Sequence, residues 1–395
     1  MRALLNPGRR PDRVPFVPFA TDFSARNCGV PAGVARREAR AAFLTQTRTQ
    51  EQFGWDEWTS LALGTIGAWE FGGELRFPTG EAMQATSVVR FPVRDENDVD
   101  RLRPPDDVLS SGAIPLMLEF SRLQDRAGRP VTVQLGSVFT GAANLVEIST
   151  FMRWMIKRPD LAHHLLRLIT DFFLRVAERW VELFPGRTII GLDMAPSEAN
   201  ALISPRHFRD FALPYSRELH EKALALGVTL FHTHACGEQN GNLRAYREIE
   251  FGRPGGPPGI ISFGHEVTLR AAVETLGDRV IVAGNVEPTL LQLGSAEEVW
   301  EATRLAVLAG RDAPLGYILM TGCSVPIGAA SNNLFTMLKA ARHRAVLGTA
   351  ARPTRPAPPT SRPCPSVAGA APRGGAAGRA RRSASGPLRS AAGTP

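Results

Sequence analysis

Short apolar segments alternate with longer stretches of helical periodicity along most of this chain. Eight of these segments are suited to buried strands: 13–20, 59–66, 129–136, 187–193, 227–237, 259–264, 279–284 and 316–322. Strands that are largely apolar are typical of a parallel sheet with both faces covered. Eight strands that alternate with helices predict a single (β/α)8 barrel of the TIM type, which is an α/β fold.

The stretches between the strands are helical by composition and by the spacing of their apolar residues. We expect helices over residues 31–53, 97–102, 111–127, 145–183, 204–226, 296–309 and 331–346. Residues 72–93 interrupt this order, because apolar and polar residues alternate there around Pro78, Thr79 and Gly80. That alternation predicts a hairpin inserted early in the barrel.

The net charge of +8 is concentrated at the C-terminal end of the chain. Residues 351–395 contain eight arginines and no acidic residue, which leaves the preceding 350 residues near neutral. The same segment is rich in Pro, Ala, Gly and Ser, and it has too few large apolar side chains to bury a core. We therefore predict a barrel over residues 1–349, a disordered tail over residues 350–395, and no specific nucleic-acid partner.

The chain has no membrane or export signal that we recognise. No part approaches the run of ~18 apolar residues that a membrane-spanning helix needs. Residues 1–13 carry a Pro-Gly break and charges where a secretory signal has an apolar block, which predicts a cytoplasmic protein. The four cysteines, at positions 28, 236, 323 and 364, do not suggest a disulfide framework and leave thiols for a metal or for catalysis.

Two predicted strands end in soft metal ligands. His234 and Cys236 are two residues apart at the end of the fifth strand, so both side chains point the same way. Cys323 directly follows the eighth strand. Two thiolates and one imidazole form a tetrahedral zinc site with one open position, so we predict zinc here. The alternative is a buried cysteine pair with an incidental histidine.

Other polar residues also lie at predicted strand ends, namely Asp193, His265, Glu266 and Asn285. We expect Glu266 or His265 to act beside the metal, as a fourth ligand or as a group that orients a ligand. We expect Asp193 to be catalytic and, with Asn285, to hydrogen-bond a substrate, although Asp193 could instead pair with an arginine of the barrel and Asn285 could instead shape a loop. His232 is expected to point away from the site or into the barrel wall.

Several motifs occur in order over most of residues 10–345: FGWDEW (53–58), GLDMAPSEANALISPRHFRDFALPY (191–215), GVTLFHTHACG (227–237), LGDRVIVAGNVEP (276–288), ILMTGCSVP (318–326) and SNNL (331–334). With them the chain resembles the uroporphyrinogen decarboxylase superfamily of (β/α)8 barrels, and within it the zinc-dependent corrinoid-protein methyltransferases. In that branch a His-x-Cys and a distant Cys bind zinc, which implies the same role for His234, Cys236 and Cys323.

The decarboxylase branch differs in the loop after the first strand. It typically has an arginine-rich MRQAGRY there, which holds the carboxylates of the porphyrinogen. The corresponding loop of this chain reads ATDFSARNCGVPAG and keeps a single arginine, Arg26. We expect Asp22 and Arg26 of this loop to bind substrate. The lost pattern argues against a substrate with many carboxylates.

We therefore predict a zinc-dependent methyltransferase that moves a methyl group from a corrinoid protein, or a similar donor, to a thiol. The methylated corrinoid would be a co-substrate carried by a partner protein. One alternative is decarboxylation of a carboxylated tetrapyrrole in porphyrin biosynthesis. Another is a non-catalytic corrinoid or tetrapyrrole carrier, but the chain lacks the Asp-x-His-x-x-Gly pattern expected of cobalamin carriers.

Overall fold

A computed structural model describes residues 5, 11, 13–79 and 85–343 of the chain. A hairpin is followed by a six-stranded parallel sheet whose strands are neighbours in chain order. The strands are β1 (Glu74–Arg76), β2 (Ser87–Arg90), β3 (Val131–Gln134), β4 (Ile189–Met194), β5 (Leu230–Ala235), β6 (Ile260–Phe263), β7 (Ile281–Val286) and β8 (Tyr317–Thr321). The predicted α/β fold of the (β/α)8 type is confirmed, with six of its eight positions occupied by regular strands.

Residues 13–20 lie beside β8 without forming a regular strand. The amide of Val17 donates to the carbonyl of Leu319 (3.0 Å), and the amide of Leu319 donates to the carbonyl of Pro15 (2.9 Å). Pro15 and Pro18 have no amide hydrogen, so this segment cannot donate along a longer ladder. The predicted first strand is therefore reduced to a short parallel bridge.

Residues 59–66 are also irregular, because side-chain amides take the place of strand hydrogen bonds. The side chain of Gln134 accepts from the amide of Leu63 (2.8 Å) and donates to its carbonyl (2.7 Å). Gln46 forms the same pair of bonds with Ser60, at 3.0 and 2.9 Å. The backbone of this segment is thus satisfied without a ladder, which is why the predicted second strand is absent as a regular element.

Asp56, three residues before the second irregular segment, binds the first one. The amide of Asp56 donates to the carbonyl of Phe16 (3.0 Å), and the carboxylate of Asp56 accepts from the amide of Phe16 (3.0 Å). Through these bonds, and through Gln134 of β3, the segments link β8 to β3 in the order that the predicted first and second strands would have had.

The predicted helices are present, and several are divided. The long stretch 145–183 breaks before Pro159, because the residue that precedes a proline avoids the helical conformation, and Arg158 is accordingly non-helical. A π-helical turn, Phe208–Ala212, interrupts another. The helices are α1 (Thr21–Asn27), α2 (Ala32–Ala35), α3 (Ala39–Phe53), α4 (Glu96–Val99), α5 (Ile114–Arg126), α6 (Val138–Leu145), α7 (Ile148–Lys157), α8 (Pro159–Leu183), α9 (Pro205–His207), α10 (Leu213–Leu226), α11 (Leu243–Tyr246), α12 (Leu269–Leu276), α13 (Pro288–Leu293), α14 (Ala296–Gly310) and α15 (Ser331–Arg342).

The predicted hairpin is confirmed. β1 and β2 pair in antiparallel fashion, with an irregular register between Glu74 and Leu75. Thr86 bonds Thr65 through their hydroxyls (3.1 Å), which ties the hairpin to the irregular segment before it. Gly80 of the predicted turn lies outside the described residues.

The apolar side chains of the sheet form two separate groups. One group, the interior cluster, consists of Val17, Ile190, Leu192, Leu230, Ile260, Ile281, Ala283, Ile318 and Met320. The other joins the sheet to the surrounding helices and includes Ile189 of β4 and Trp180 of α8. Successive residues of one strand therefore face different groups, as strand geometry requires. On β4 the even-numbered residues face the interior and the odd-numbered ones face the helices.

The C-terminal predictions reach beyond the described residues. α15 ends at Arg342, and residues 344–346 of the predicted closing helix lie outside the described part, as does the predicted tail. The boundary between residues 349 and 350 remains a prediction. Among the described residues, no helix combines the length and apolar character needed to cross a membrane.

Candidate metal centre

His234 and Cys236 lie where β5 ends. His234 is buried on β5, and Cys236 is the first residue after the strand. Gly237 then turns the chain with a φ of 75°, a backbone conformation that side chains with a Cβ rarely adopt. The side-chain amide of Gln239 donates to the Cys236 carbonyl (3.1 Å) and holds the turn.

Cys323 reaches the same place from β8. It lies two residues beyond the strand, after Gly322. A Cβ on Gly322 would stand 2.7 Å from the backbone nitrogen of His265, so only glycine lets the loop after β8 lie so close to the turn after β6. The amide of Gly322 donates to the carbonyl of Val286 on β7 (2.7 Å), which fixes the start of the loop.

These three side chains meet at one point. One ligand atom from each of His234, Cys236 and Cys323 lies within 4.8 Å of the other two. The two sulfur atoms are 3.7 Å apart. A tetrahedral zinc ion with Zn–S bonds of ~2.3 Å would place its two sulfurs ~3.8 Å apart. Among the described residues, this is the one group of three His, Cys, Asp or Glu side chains that is spaced to hold a metal ion.

His234 presents one ring nitrogen to this group and the other to the sheet. Its Nδ1 is 3.0 Å from the hydroxyl oxygen of Ser262 on β6. Its Nε2 is buried and has no hydrogen-bond partner. A buried polar atom without a partner is costly, and a metal ion bound there would remove that cost. The donor set therefore fits a zinc ion.

The two thiols are coupled. The thiol of Cys236 donates to the sulfur of Cys323. This hydrogen bond lowers the pKa of Cys323 to about 3, against the effect of burial and with help from His234. The same contact, with burial, raises the pKa of Cys236. The contact thus favours the thiolate form of Cys323, the form of cysteine that binds metals.

His232 lies closer to the site than expected. Its side chain is on the same face of β5 as that of His234, and its Nε2 is 3.0 Å from the hydroxyl of Ser262. Phe19 stacks against its ring at 5.6 Å, and Trp58 meets it edge-on at 5.2 Å. Burial, with His234 as a second cause, lowers its pKa to about 3, so the ring is neutral. The expectation that it points away is wrong, because residues i and i+2 of a strand share a face.

Glu266 and His265 lie in the turn that follows β6, and Asn285 lies on β7. Glu266 is half exposed and its carboxylate is 3.4 Å from Nδ1 of His265. It lies near enough to Cys236 for its charge to contribute to the raised pKa of that thiol. Asn285 of β7 donates to the carbonyls of Gly264 (3.0 Å) and Val267 (2.7 Å). These bonds position the turn that carries Glu266.

The structure corrects the expected position of Asp193. Its carboxylate faces α10, where it is 3.3 Å from Nε2 of His220 and accepts a bond from the hydroxyl of Thr233 (3.3 Å). It is an odd-numbered residue of β4, so it faces the helices and lies on the other side of the strand from the interior cluster. It pairs with a histidine rather than with an arginine of the barrel.

Asp22 and Arg26 are engaged within the protein. Both carboxylate oxygens of Asp22 accept from Arg36, at 2.8 and 2.7 Å, and Asp22 is buried. Arg26 is exposed and donates to the carbonyl of Ile327 (2.9 Å), in the loop that follows Cys323. Of the two, Arg26 is therefore the one open to solvent, and Asp22 forms a buried ion pair.

Two buried polar residues near the strand ends were missed from the sequence. Ser262 is the one polar residue of the apolar strand β6. A single polar residue in an apolar strand is the sequence feature that could have predicted a role for it. Glu198, in the loop after β4, is buried and accepts a short hydrogen bond from the hydroxyl of Ser137. Burial, with the nearby charge of Asp193 as a second cause, raises its pKa well above the usual range.

A cavity lies at the other end of the sheet. It has a volume of about 730 Å³ and is lined by residues near the start of β6, β7 and β8, among them Arg253, Arg279 and Tyr317. None of its lining residues belongs to the group at the strand ends.

The profile of one protein family, described as uroporphyrinogen decarboxylase (URO-D), matches residues 3–344. The chain belongs to the URO-D family. Two curated relatives are methyltransferases. A methylated-thiol–coenzyme M methyltransferase of Methanosarcina mazei is 27% identical over 243 residues, which cover 60% of each chain. A methylcobamide:CoM methyltransferase MtaA of Methanosarcina barkeri is 26% identical over 261 residues, or 64% of this chain and 70% of that one.

URO-D enzymes of the same family are also similar. The uroporphyrinogen decarboxylase of Ovis aries is 30% identical over 228 residues, which cover 53% of this chain and 56% of the sheep protein. The matched part thus spans less than two thirds of this relative and of the Methanosarcina mazei protein. A solved methyltransferase from Methanosarcina mazei matches with a TM-score of 0.71 at 22% identity, over 86% of this chain and 95% of that one. This likeness shows a shared fold.

Proposed function

We propose that this protein is a zinc-dependent methyltransferase that moves a methyl group from a corrinoid, carried by a partner protein, to a thiol. The observation that carries the proposal is the meeting of His234, Cys236 and Cys323 at two strand ends, with the sulfurs 3.7 Å apart. The names of two relatives, one a methylcobamide and one a methylated-thiol methyltransferase, support the same reaction class.

The residues present would hold a zinc ion through three protein ligands and leave one position open. When bound, zinc supplies a Lewis acid that lowers the pKa of a thiol while keeping the sulfur nucleophilic. Glu266 is half exposed and lies close enough to Cys236 for its charge to act on that thiol. We assign to it the task of accepting or holding the proton that an incoming thiol loses. Asn285 acts by holding the turn that carries Glu266.

The test is a transfer assay with purified full-length protein, free methylcobalamin as donor and a panel of small thiols as acceptors. We expect loss of the methylcobalamin absorbance that depends on both thiol and protein. Cys236→Ser should reduce the rate of methyl transfer by at least ~100-fold, because it removes one of the three protein ligands of the metal. Cys28→Ser is the matched control, since Cys28 is a partly buried thiol that contacts Thr45 and Thr49, outside the metal group.

Two results would contradict the proposal. One is a protein that contains one zinc per chain and transfers no methyl group to any thiol. The other is transfer that Cys236→Ser leaves unchanged.

Decarboxylation of a carboxylated tetrapyrrole is the second candidate, because URO-D enzymes are among the similar proteins. The loop that would hold substrate carboxylates supports it poorly, since Asp22 is paired with Arg36 and residues 20–33 contain a single arginine, Arg26. Incubation with uroporphyrinogen decides between the two. Turnover that persists in Cys323→Ser would favour decarboxylation.

We further propose that the protein acts in the cytoplasm, where a corrinoid protein and a small-molecule thiol would be its partners. The reaction class supports this location.

A further inference from the structure

We propose that Ser262 is a positioning residue of the metal centre, which fixes His234 in the tautomer that binds through Nε2. This inference rests on the proposed zinc site and adds to it the identity of the ligating atom. It also gives a role to His232, which the proposed function does not use. The argument depends on hydrogen-bond donors and acceptors around one buried hydroxyl.

Ser262 lies directly behind His234. It is fully buried on β6, in register with His234 on β5. Its Oγ is 3.0 Å from Nδ1 of His234, 3.0 Å from Nε2 of His232 and 3.4 Å from the carbonyl of Thr233. A serine hydroxyl has one proton to donate and can accept two hydrogen bonds.

The proton count favours one arrangement. The Thr233 carbonyl only accepts, and a neutral imidazole has one donor and one acceptor nitrogen. If Ser262 donated to Nδ1 of His234, then Nε2 would carry a hydrogen and could not bind a metal ion. If Nδ1 carries the hydrogen and donates to Ser262, the lone pair of Nε2 is directed to the cysteine sulfurs. Only the second arrangement leaves Nε2 able to bind the zinc ion while Nδ1 keeps its hydrogen bond to Ser262.

His232 and Phe19 hold the other side of this network. When Nδ1 of His234 donates to Ser262, the hydroxyl of Ser262 can donate its own proton to Nε2 of His232 or to the Thr233 carbonyl. Phe19 lies parallel to the ring of His232 and meets the ring of His234 edge-on, with centroids 4.9 Å apart. Both imidazole rings are therefore kept from turning, and His232 supports the site without being a ligand.

The direct test is the ¹⁵N spectrum of histidine-labelled, zinc-loaded full-length protein, with His234 assigned by its loss in His234→Gln. We expect a protonated Nδ1 and a zinc-shifted Nε2 for His234. A zinc-bound Nδ1 with a protonated Nε2 would overturn the inference. This measurement uses the wild-type protein for its answer, so it does not depend on how well a variant folds.

The second test is zinc affinity, measured by competition with a chromogenic chelator. Ser262→Ala should weaken zinc binding ~10–100-fold, as loss of a group that orients a metal-bound histidine does. The matched control is Ser121→Ala, which removes another fully buried hydroxyl, bonded to the Thr132 carbonyl (2.7 Å) on β3. It should leave zinc affinity within about twofold of the wild type.

The outcomes separate this inference from the proposed function. A folded Ser262→Ala protein with wild-type zinc affinity would overturn the role of Ser262 while leaving the zinc site in place. A wild-type protein that binds no zinc at all would instead overturn the proposed function. Equal losses of affinity in Ser262→Ala and Ser121→Ala would reduce Ser262 to a packing residue and contradict the inference.

Discussion

The thiols of Cys236 and Cys323 and the imidazole of His234 come from two strand ends, and each depends on neighbours that are not ligands. Gly322 allows the loop after β8 to lie against the turn after β6, Gln239 holds the turn after Cys236, and Ser262 holds the imidazole. Changes at such neighbours should therefore alter metal binding even though they leave the three ligands intact.

A buried acid behind the site should make stability depend on pH. Burial raises the pKa of Glu198 above the usual value for a glutamate, about 4.3. The folded state therefore favours the neutral form, and stability that is present below pH ~4.3 is lost as the pH rises toward the folded-state pKa. Glu198→Gln removes this dependence and should raise the unfolding temperature by a few degrees at pH 8 and by less at pH 5.

The control for this prediction has the opposite sign. Arg167, and then Lys222, hold the pKa of Glu218 at about 2. Its contribution to stability is present above pH ~4.3 and is lost as the pH falls, so Glu218→Gln should lower the unfolding temperature at pH 8. Thermal unfolding of both variants between pH 5 and pH 8 checks the pair. A Glu198→Gln protein that is less stable than the wild type at pH 8 would contradict the assignment.

The alternation of side chains along a strand explains how much of the site could be predicted from the sequence. The spacing of His234 and Cys236 already indicated that both point the same way. The same rule places Asp193 on the helix side of β4, but only once Leu192 is known to face the interior. Partners such as His220 for Asp193, or Arg36 for Asp22, come from other elements, and no local pattern pairs them.

At the scale of elements, the sheet is regular where backbone amides are free to bond a neighbouring strand. It is irregular where proline removes an amide hydrogen or where a side chain already bonds the backbone. The six strands from β3 to β8 were predicted from their apolar runs and are present. The first two predicted strands are apolar as well, but Pro15 and Pro18 remove donors from one, and Gln46 and Gln134 satisfy the backbone of the other. Side-chain bonds of this kind depend on tertiary contacts, so the sequence pattern could not reveal them.

The packing of α8 against the sheet depends on one indole. Trp180 is fully buried, and its Nε1 donates to the hydroxyl of Ser121 on α5 (3.0 Å) and to the carbonyl of Thr132 on β3 (3.2 Å). Trp180→Phe removes these bonds and leaves a void, so it should lower the free energy of unfolding by about 1–3 kcal/mol. Urea unfolding measures the change, and Trp300→Phe on α14, where the side chain is only half-buried, should cost less.

If Trp180→Phe lowered the free energy of unfolding by less than Trp300→Phe, α8 would not be held in this way. Zinc content should be unchanged in both variants, since neither tryptophan contacts the metal centre.

At the scale of the whole molecule, the charge distribution predicts that the barrel and the tail act separately. Residues 351–395 carry the eight arginines that account for the net charge of +8. A protein that ends at residue 349 should unfold within ~2 °C of the full chain, and its zinc content should be the same. Loss of cooperative unfolding on truncation would contradict the predicted boundary.

The central claim is that two sulfurs and an imidazole from two strand ends bind one zinc ion. X-ray absorption at the zinc edge of the purified full-length protein tests it directly. We predict about one zinc per chain, with two sulfur neighbours at ~2.3 Å and nitrogen or oxygen neighbours at ~2.0–2.1 Å. In Cys323→Ser, one sulfur neighbour should be lost or the metal should be absent. A protein without zinc, or with zinc that has no sulfur neighbours, would contradict the claim.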